Sequence, residues 1–145
     1  SLRSEKGFVH WGHDVSPTDT PVEAGIDFAV SRKKLHFTGA EAIRQQRLHG
    51  VMRRRVLFLL DDPEPIVHHD EAIFRDGVVV GRVTSGSYGY TLGRSVCQGY
   101  VDVPRDGWQE YVLKGRYEIE VAGARYKAQA SLKPFYDPDF ENPKR

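Results

Sequence analysis

The chain has 145 residues, enough for one or two small domains with a real core, since a unit of this size hides about two-thirds of the surface that its unfolded form exposes. Its 21 basic and 20 acidic residues leave a formal charge of +1, so no global field draws it to nucleic acid or to an acidic membrane, and electrostatic recognition must be local. Cys97 is the lone cysteine, which excludes an internal disulfide, and no apolar run approaches the ~18 residues of a membrane span or follows a basic leader.

In chain order, the first third reads as mixed structure. Glu5-Lys6-Gly7-Phe8 is followed by Trp11-Gly12-His13-Asp14 and then by Thr20-Pro21-Val22-Glu23-Ala24-Gly25. Pro21 fits the first turn of a short helix, where Glu23 favours the positive end of the dipole. Asp14 and Thr20 suit local bonds from side chain to backbone amide, a scaffold role. Arg32-Lys33-Lys34 is either a solvated charge run or an anchor for an anionic group. Thr38-Gly39-Ala40-Glu41 has capping-box spacing and predicts a helix over 39–49, ended by Gly50 and docked by a modest stripe of Ile43 and Leu48.

From Val51 the texture turns to β. Arg53–Leu60 reads as a strand with a basic start and an apolar body, stopped by Asp61-Asp62-Pro63. Ala72–Phe74 leads through Asp76-Gly77 into Val78–Val80, and Asp-Gly between two such runs predicts a tight hairpin with positive φ at both central residues. Val96–Val103 is a further strand, and Tyr117–Val121 turns at Ala122-Gly123 into Ala124–Ser131 with alternation on both arms. About six strands with short turns and no further helix predict a small antiparallel β-barrel, closed to leave no raw edge. The fold class is thus a mixed α/β remnant followed by an all-β barrel. The tail over 136–145, rich in Pro, Asp and charge, is expected to run over the surface and fray.

Thr84-Ser85-Gly86-Ser87-Tyr88-Gly89-Tyr90 reads as a glycine-rich loop; it lacks the lysine and the following helix of a phosphate loop. Two clusters carry metal-ligand residue types, His10 with His13 and Asp14, and His68-His69-Asp70-Glu71. Neither has the partners of a tetrahedral site, so no metal is assigned. Cys97 lies inside an apolar strand with no base nearby in sequence and is read as a small hydrophobe.

The segments Glu5–Phe8, Trp11–Asp14 and Thr20–Gly25, with the block Gly81-Arg82-Val83 and Thr84–Tyr90, resemble the C-terminal part of the glycine-cleavage T-protein fold. The closest likeness is to the version fused behind the flavin domain of sarcosine and dimethylglycine dehydrogenases, and it runs from Glu5 to about Pro138. The resemblance implies residues 1–50 as the end of a folate-binding α/β core, 51–134 as the C-terminal barrel and 135–145 as a tail. It implies a piece of a larger folate-dependent aminomethyltransferase-type enzyme that passes a one-carbon unit to tetrahydrofolate, inactive as an isolated chain. FAD and the catalytic aspartate are expected in the portion before Ser1, so no catalytic residue is assigned here. The partners implied are folate and a small methylated amine, with neither nucleic acid nor membrane, in the cytoplasm or, in a eukaryote, the mitochondrial matrix.

The same resemblance assigns site residues. Glu5 matches the glutamate of a Glu-x-Gly motif whose carboxylate accepts two parallel hydrogen bonds from the edge of the pterin, with Gly7 easing the turn; the alternative is an exposed surface glutamate. Trp11 would wall the ring or else lie in the core. Lys34, with Arg32 and Lys33, would sit at the pocket mouth and attract the glutamyl tail, more weakly than an arginine fork. Tyr88 and Arg94 would line the pocket or an interface. Two readings from other classes stand beside this one. The first is a barrel that has lost folate chemistry and serves domain docking or assembly. The second is a nucleic-acid barrel using Arg44, Arg47 and Arg53–Arg55, disfavoured by the near-neutral charge and the absence of interleaved aromatics.

Overall fold

The structure is a computed structural model that describes residues 1–34 and 36–142. Six strands, β1 (Arg53–Leu60), β2 (Ala72–Arg75), β3 (Val78–Gly89), β4 (Arg94–Asp102), β5 (Tyr117–Val121) and β6 (Ala124–Ser131), close into a barrel in the order β1-β4-β3-β2-β5-β6. Every neighbouring pair is antiparallel, and the β1–β6 pairing, Leu57 opposite Ser131 and Leu60 opposite Ala128, closes the ring.

The alternation of side chains along each strand explains what fills the barrel. Val56, Phe58 and Leu60 of β1 join Ile73, Val83, Cys97, Val101 and Ile119 in one buried cluster, and Phe58 meets Tyr117 at 5.2 Å between ring centroids. Leu57 and Leu59 face outward yet are equally buried, so β1 is covered on both faces. A strand buried on both sides reads as an unbroken apolar run, and Val56–Leu60 is one.

The two hairpins follow their turn chemistry. Asp76 and Gly77 have φ of 50° and 85°, and Ala122 and Gly123 have 50° and 81°. Positive φ at both central residues matches the turn to the right-handed twist of the strands.

Among the described residues four α-helices accompany the barrel: α1 (Leu2–Glu5), α2 (Pro21–Ala24), α3 (Ala40–His49) and α4 (Trp108–Lys114). The helix expected over 39–49 forms, but without its capping box. Its N-cap is Gly39, left-handed at φ 86°, with no side-chain cap, and Glu41 instead accepts hydrogen bonds from Arg44 and Gln45. Its docking face also differs from the expected stripe: Leu48 is 74% exposed, whereas Arg47 anchors the helix to Asp27 and to the Val30 carbonyl. The capping box of the chain sits at α2, where the Thr20 hydroxyl accepts from the Glu23 amide and the Glu23 carboxylate accepts from the Thr20 amide.

Helix α4 was not expected from the sequence. Its signal is nonetheless present, with Trp108, Tyr111 and Val112 at spacings of three and four between Gly107 and Gly115. Val112 is fully buried in the barrel cluster, with Trp108 and Tyr111 packed beside it.

Two further expectations are corrected. The stretch Thr84–Tyr90 is not a loop; β3 continues through Gly89, paired opposite Arg94. Gly86 is required there because a Cβ would lie 2.5 Å from the Val67 carbonyl oxygen. The tail, in the part described here, is anchored: Lys6 Nζ lies 2.5 Å from Asp137 Oδ2, and the Phe8 and Phe140 rings stack at 5.9 Å. Residues 143–145 lie outside the described residues.

Candidate functional site at the seam between the N-terminal segment and the barrel

The segment before α3 lies across the outer face of β1, β3 and β4, and the seam is made by buried polar groups. Asp14 is its hub and is completely buried. Its Oδ1 accepts from the Thr84 and Ser85 hydroxyls, each at 2.6 Å, and its Oδ2 accepts from Arg3 Nη1 and the His10 amide, each at 2.8 Å. Adjacent strand residues normally face opposite ways. Here the pairing with β4 slips between Val83 and Ser85, and this bulge turns both hydroxyls onto one carboxylate oxygen. Burial raises the carboxyl's pKa, but the Ser85, Thr84 and His10 hydrogen bonds and the Arg3 charge outweigh it and hold Asp14 below the usual carboxylate range.

The network continues through Gln98, which is 1% exposed: its Nε2 donates to the Ser85 hydroxyl and its side-chain Oε1 accepts from Arg55 Nη1. Arg55 also donates to the carbonyls of Ala24 and Gly7, tying three separate stretches of the N-terminal segment and the barrel together. Arg53 reaches the other way, to Asp19 at 2.6 Å, with its guanidinium 4.4 Å from the Tyr100 ring centroid. The Tyr100 hydroxyl donates to the Asp14 carbonyl, and burial with the nearby Asp19 charge pushes its pKa up to about 12. The basic start of β1 is therefore the clamp of this seam, engaged within the molecule.

Glu5 is also completely buried, on the far side of the bulge. Its Oε1 accepts from the Thr91 amide at 2.8 Å and the Leu92 amide at 3.2 Å, and its Oε2 accepts from the Thr91 hydroxyl at 3.3 Å. The carboxylate thus holds the β3–β4 turn, and a Cβ at Gly89 would crowd it, 3.0 Å from Oε1.

The structure therefore brings Glu5 together with the turn bounded by Tyr88 and Arg94. Tyr88 is half-buried, edge-on to Tyr90 at 5.3 Å, and Arg94 opens β4 opposite Gly89. Trp11 lies apart, 69% exposed, so it is neither core nor part of that group. Lys34 is exposed on the loop before α3, its amide bonded to the Ser31 hydroxyl.

Between the segment and the barrel wall lies an apolar hollow of about 380 Å³, walled by Phe8, Phe28, Leu57, Leu132 and Phe140, with Arg55 at its edge. Gly7 turns the chain here at φ 67°, where a Cβ would lie 2.8 Å from Leu57 Cδ2. None of Glu5, Trp11, Lys34, Tyr88 and Arg94 lines this hollow. A larger one, about 580 Å³, opens at the β5–β6 face beside α4, remote from the carboxylates of the seam.

Asp14, expected to brace only its own loop, bridges to the barrel, and Arg3, Arg55 and Gln98 join it without a motif that marks them for this seam. The legible signal was Gln98, a polar residue inside an apolar strand run. Chemically, the seam orients groups and does not transfer protons, because the acceptor sites of Asp14 are filled and its proton is held off. Cys97 packs in the barrel, with its thiol pK pushed far up by burial and, secondarily, by Glu71. His10 and His13 stack at 4.6 Å, and His69 pairs with Asp70; among the described residues no group of three His, Cys, Asp or Glu side chains is placed to hold a metal ion. No described helix is long and apolar enough to cross a membrane.

The model of the glycine cleavage T-protein C-terminal barrel domain matches residues 53–137, the whole barrel and the first residues of the tail. The 4-methylaminobutanoate oxidase (formaldehyde-forming) of Paenarthrobacter nicotinovorans is 43% identical over 97% of this chain and 16% of its own length. Human mitochondrial sarcosine dehydrogenase is 40% identical over 96% of this chain and 15% of its own. The mitochondrial pyruvate dehydrogenase phosphatase regulatory subunit of Mus musculus is 40% identical over 92% of this chain and 17% of its own. The solved glycine cleavage system aminomethyltransferase T from Bartonella henselae superposes with a TM-score of 0.80 at 28% identity, covering 94% of this chain and 37% of that one. The chain therefore spans about one-sixth of the length of these curated relatives.

Proposed function

Because the chain belongs to the glycine cleavage T-protein C-terminal barrel family, we propose that it serves as the closing part of a folate-dependent aminomethyltransferase-type region in an N-methyl amine dehydrogenase. Residues 1–50 would complete a folate-binding core, 51–134 form its barrel and 135–145 its tail. The observation that carries this reading is the seam: a fully satisfied polar network fixes the N-terminal segment on the barrel and leaves an apolar hollow at its edge. In such a parent a flavin portion would supply amine oxidation and bound tetrahydrofolate would accept the one-carbon unit, and this chain would help to close the folate region against water. The substrate would be a methylated amine such as sarcosine or dimethylglycine, and the compartment the cytoplasm or the mitochondrial matrix.

The hollow fits the apolar face of a ring but offers few polar groups, so the partners of a pterin edge would come largely from outside these residues. Two roles for Glu5 lead to different measurements. If its carboxylate meets the pterin in the parent enzyme, Glu5→Gln lowers tetrahydrofolate affinity by about 2–3 kcal/mol, as for a lost charged hydrogen bond. If it only holds the Thr91 turn, which its present partners favour, the variant loses stability and the folded fraction binds folate unchanged. Titration of the parent protein and its Glu5→Gln variant separates the two. Isolated, this chain should show no methylene transfer to tetrahydrofolate; turnover by it alone would refute the proposal.

A docking or assembly role is the second reading, favoured by the similarity to a chain named as a regulatory subunit. A parent protein that binds no tetrahydrofolate, with or without Glu5, would select it.

A further inference from the structure

A second cleft, of about 420 Å³, opens away from the Asp14 network, between α3, the turn at Asp27–Ala29, β1 and the start of α4. Its walls carry Arg32, Arg47, Arg54, Arg105 and His49 against only two acids, Asp27 and Asp106. Asp27 is already engaged. Arg47 grips it at 2.8 Å and Arg32 stands 3.8 Å away. Among the described residues neither Arg54 nor Arg105 has a carboxylate within ion-pair distance.

Arg54 is the group that asks for a ligand. Its Nη1 donates to the Val22 carbonyl at 2.7 Å and its guanidinium lies 4.3 Å from the Trp108 ring centroid, so its plane is fixed. Its Nε is buried without an acceptor, and the carboxamide oxygen of Gln46, in the same cleft, is buried without a donor. Two unmet polar atoms buried in the wall of one cleft are unusual, because buried polar atoms are nearly always paired. Burial also lowers the pKa of Arg54, partly offset by the Asp27 and Glu23 charges.

We propose that this cleft binds a small oxyanion, a carboxylate or a phosphate, held by the preoriented guanidinium of Arg54 with Arg105 at the rim. A planar guanidinium offers parallel donors that match either group, and its stacking on an aromatic face lowers the entropic cost of using them. Turning the Gln46 carboxamide would add a donor to the same oxyanion. Asp106 opposes such a ligand and tunes its affinity downward.

The test uses the intact chain, with inorganic phosphate and succinate as probes, and follows the Nε–Hε resonance of Arg54 by NMR. Saturable displacement of that resonance by either probe is expected, and the tighter probe tells whether the natural group is a phosphate or a carboxylate. Arg54→Lys keeps the charge but removes Nε, and should weaken binding about tenfold or more, read by calorimetry. Should that variant fail to fold, Arg105→Ala, which removes no hydrogen bond or ion pair found among the described residues, should weaken binding severalfold with little change in melting temperature. Asp106→Asn should tighten it. A resonance that does not move with either probe, as expected if water alone fills the cleft, overturns the proposal; so does binding that Arg54→Lys and Arg105→Ala leave unchanged. The cleft shares no lining residue with the apolar hollow, so its failure leaves the folate reading standing.

Discussion

Asp14 shows how much one buried carboxylate can organise. Four donors from three stretches of chain converge on it, and Asn in its place turns one of the two acceptor oxygens into an NH2 that faces either Arg3 and the His10 amide or the Thr84 and Ser85 hydroxyls. Asp14→Asn should therefore cost about 2–3 kcal/mol in urea unfolding. The pH dependence has a definite sign. The carboxyl of the folded protein lies below its ordinary value of 3.8, so its stabilisation is fully present above that value and disappears as pH falls through the folded one. The stability of the native protein should accordingly fall more steeply on acidification than that of Asp14→Asn. Equal acid limbs for the two would mean that Asp14 is not the titrating hub. Tyr100 packs on the same residue, and Tyr100→Phe would test the hydroxyl's bond to the Asp14 carbonyl without touching the carboxylate.

Among the elements, those whose information is local were legible, and those decided by tertiary contact were not. The strands β1, β5 and β6 and both tight turns follow from alternation and from Asp-Gly and Ala-Gly pairs, all written within a few residues. The capping box illustrates the limit. Thr38–Glu41 and Thr20–Glu23 share the same spacing, but only Thr20 is followed by Pro21, which presets φ at the first helical position. The two threonines thus predict opposite outcomes. Thr20→Ala should destabilise by about 1 kcal/mol, as for a lost N-cap. Thr38→Ala, exposed and uncapping, should stay within about 0.5 kcal/mol. Comparable losses at both sites would contradict the assignment. The Ala122 turn provides a test of opposite sign: alanine sits at φ 50° there, so Ala122→Asn, completing an Asn-Gly pair, should stabilise by about 0.5 kcal/mol in thermal or chemical unfolding.

For the whole molecule, the candidate site was only half legible, because it is made by residues far apart in sequence. Glu5, Tyr88 and Arg94 converge on one turn, as the family resemblance grouped them, while the bulge that aims Thr84 and Ser85 at Asp14 leaves no local mark in composition. The same is true of Arg55, which looks like surface charge in sequence and is the clasp of the seam in three dimensions. Barrel and segment therefore differ in what holds them. The barrel rests on a closed hydrogen-bonded ring around a large apolar cluster, whereas the segment before α3 has single-turn helices held by a small apolar cluster of Val15, Ala24 and Tyr100 and by the polar bonds of the seam. Segments with few apolar contacts open at lower free energy than the core beneath them. Arg55→Met keeps much of the side-chain bulk and removes the donors to Ala24, Gly7 and Gln98. Amide exchange over residues 1–30 should then accelerate by at least about tenfold, the equivalent of about 1.4 kcal/mol, while the amides of β1, β4 and β6 keep their protection. Parallel acceleration in segment and barrel would show instead that the two unfold as one unit, with the seam contributing to the global stability and not to a local latch.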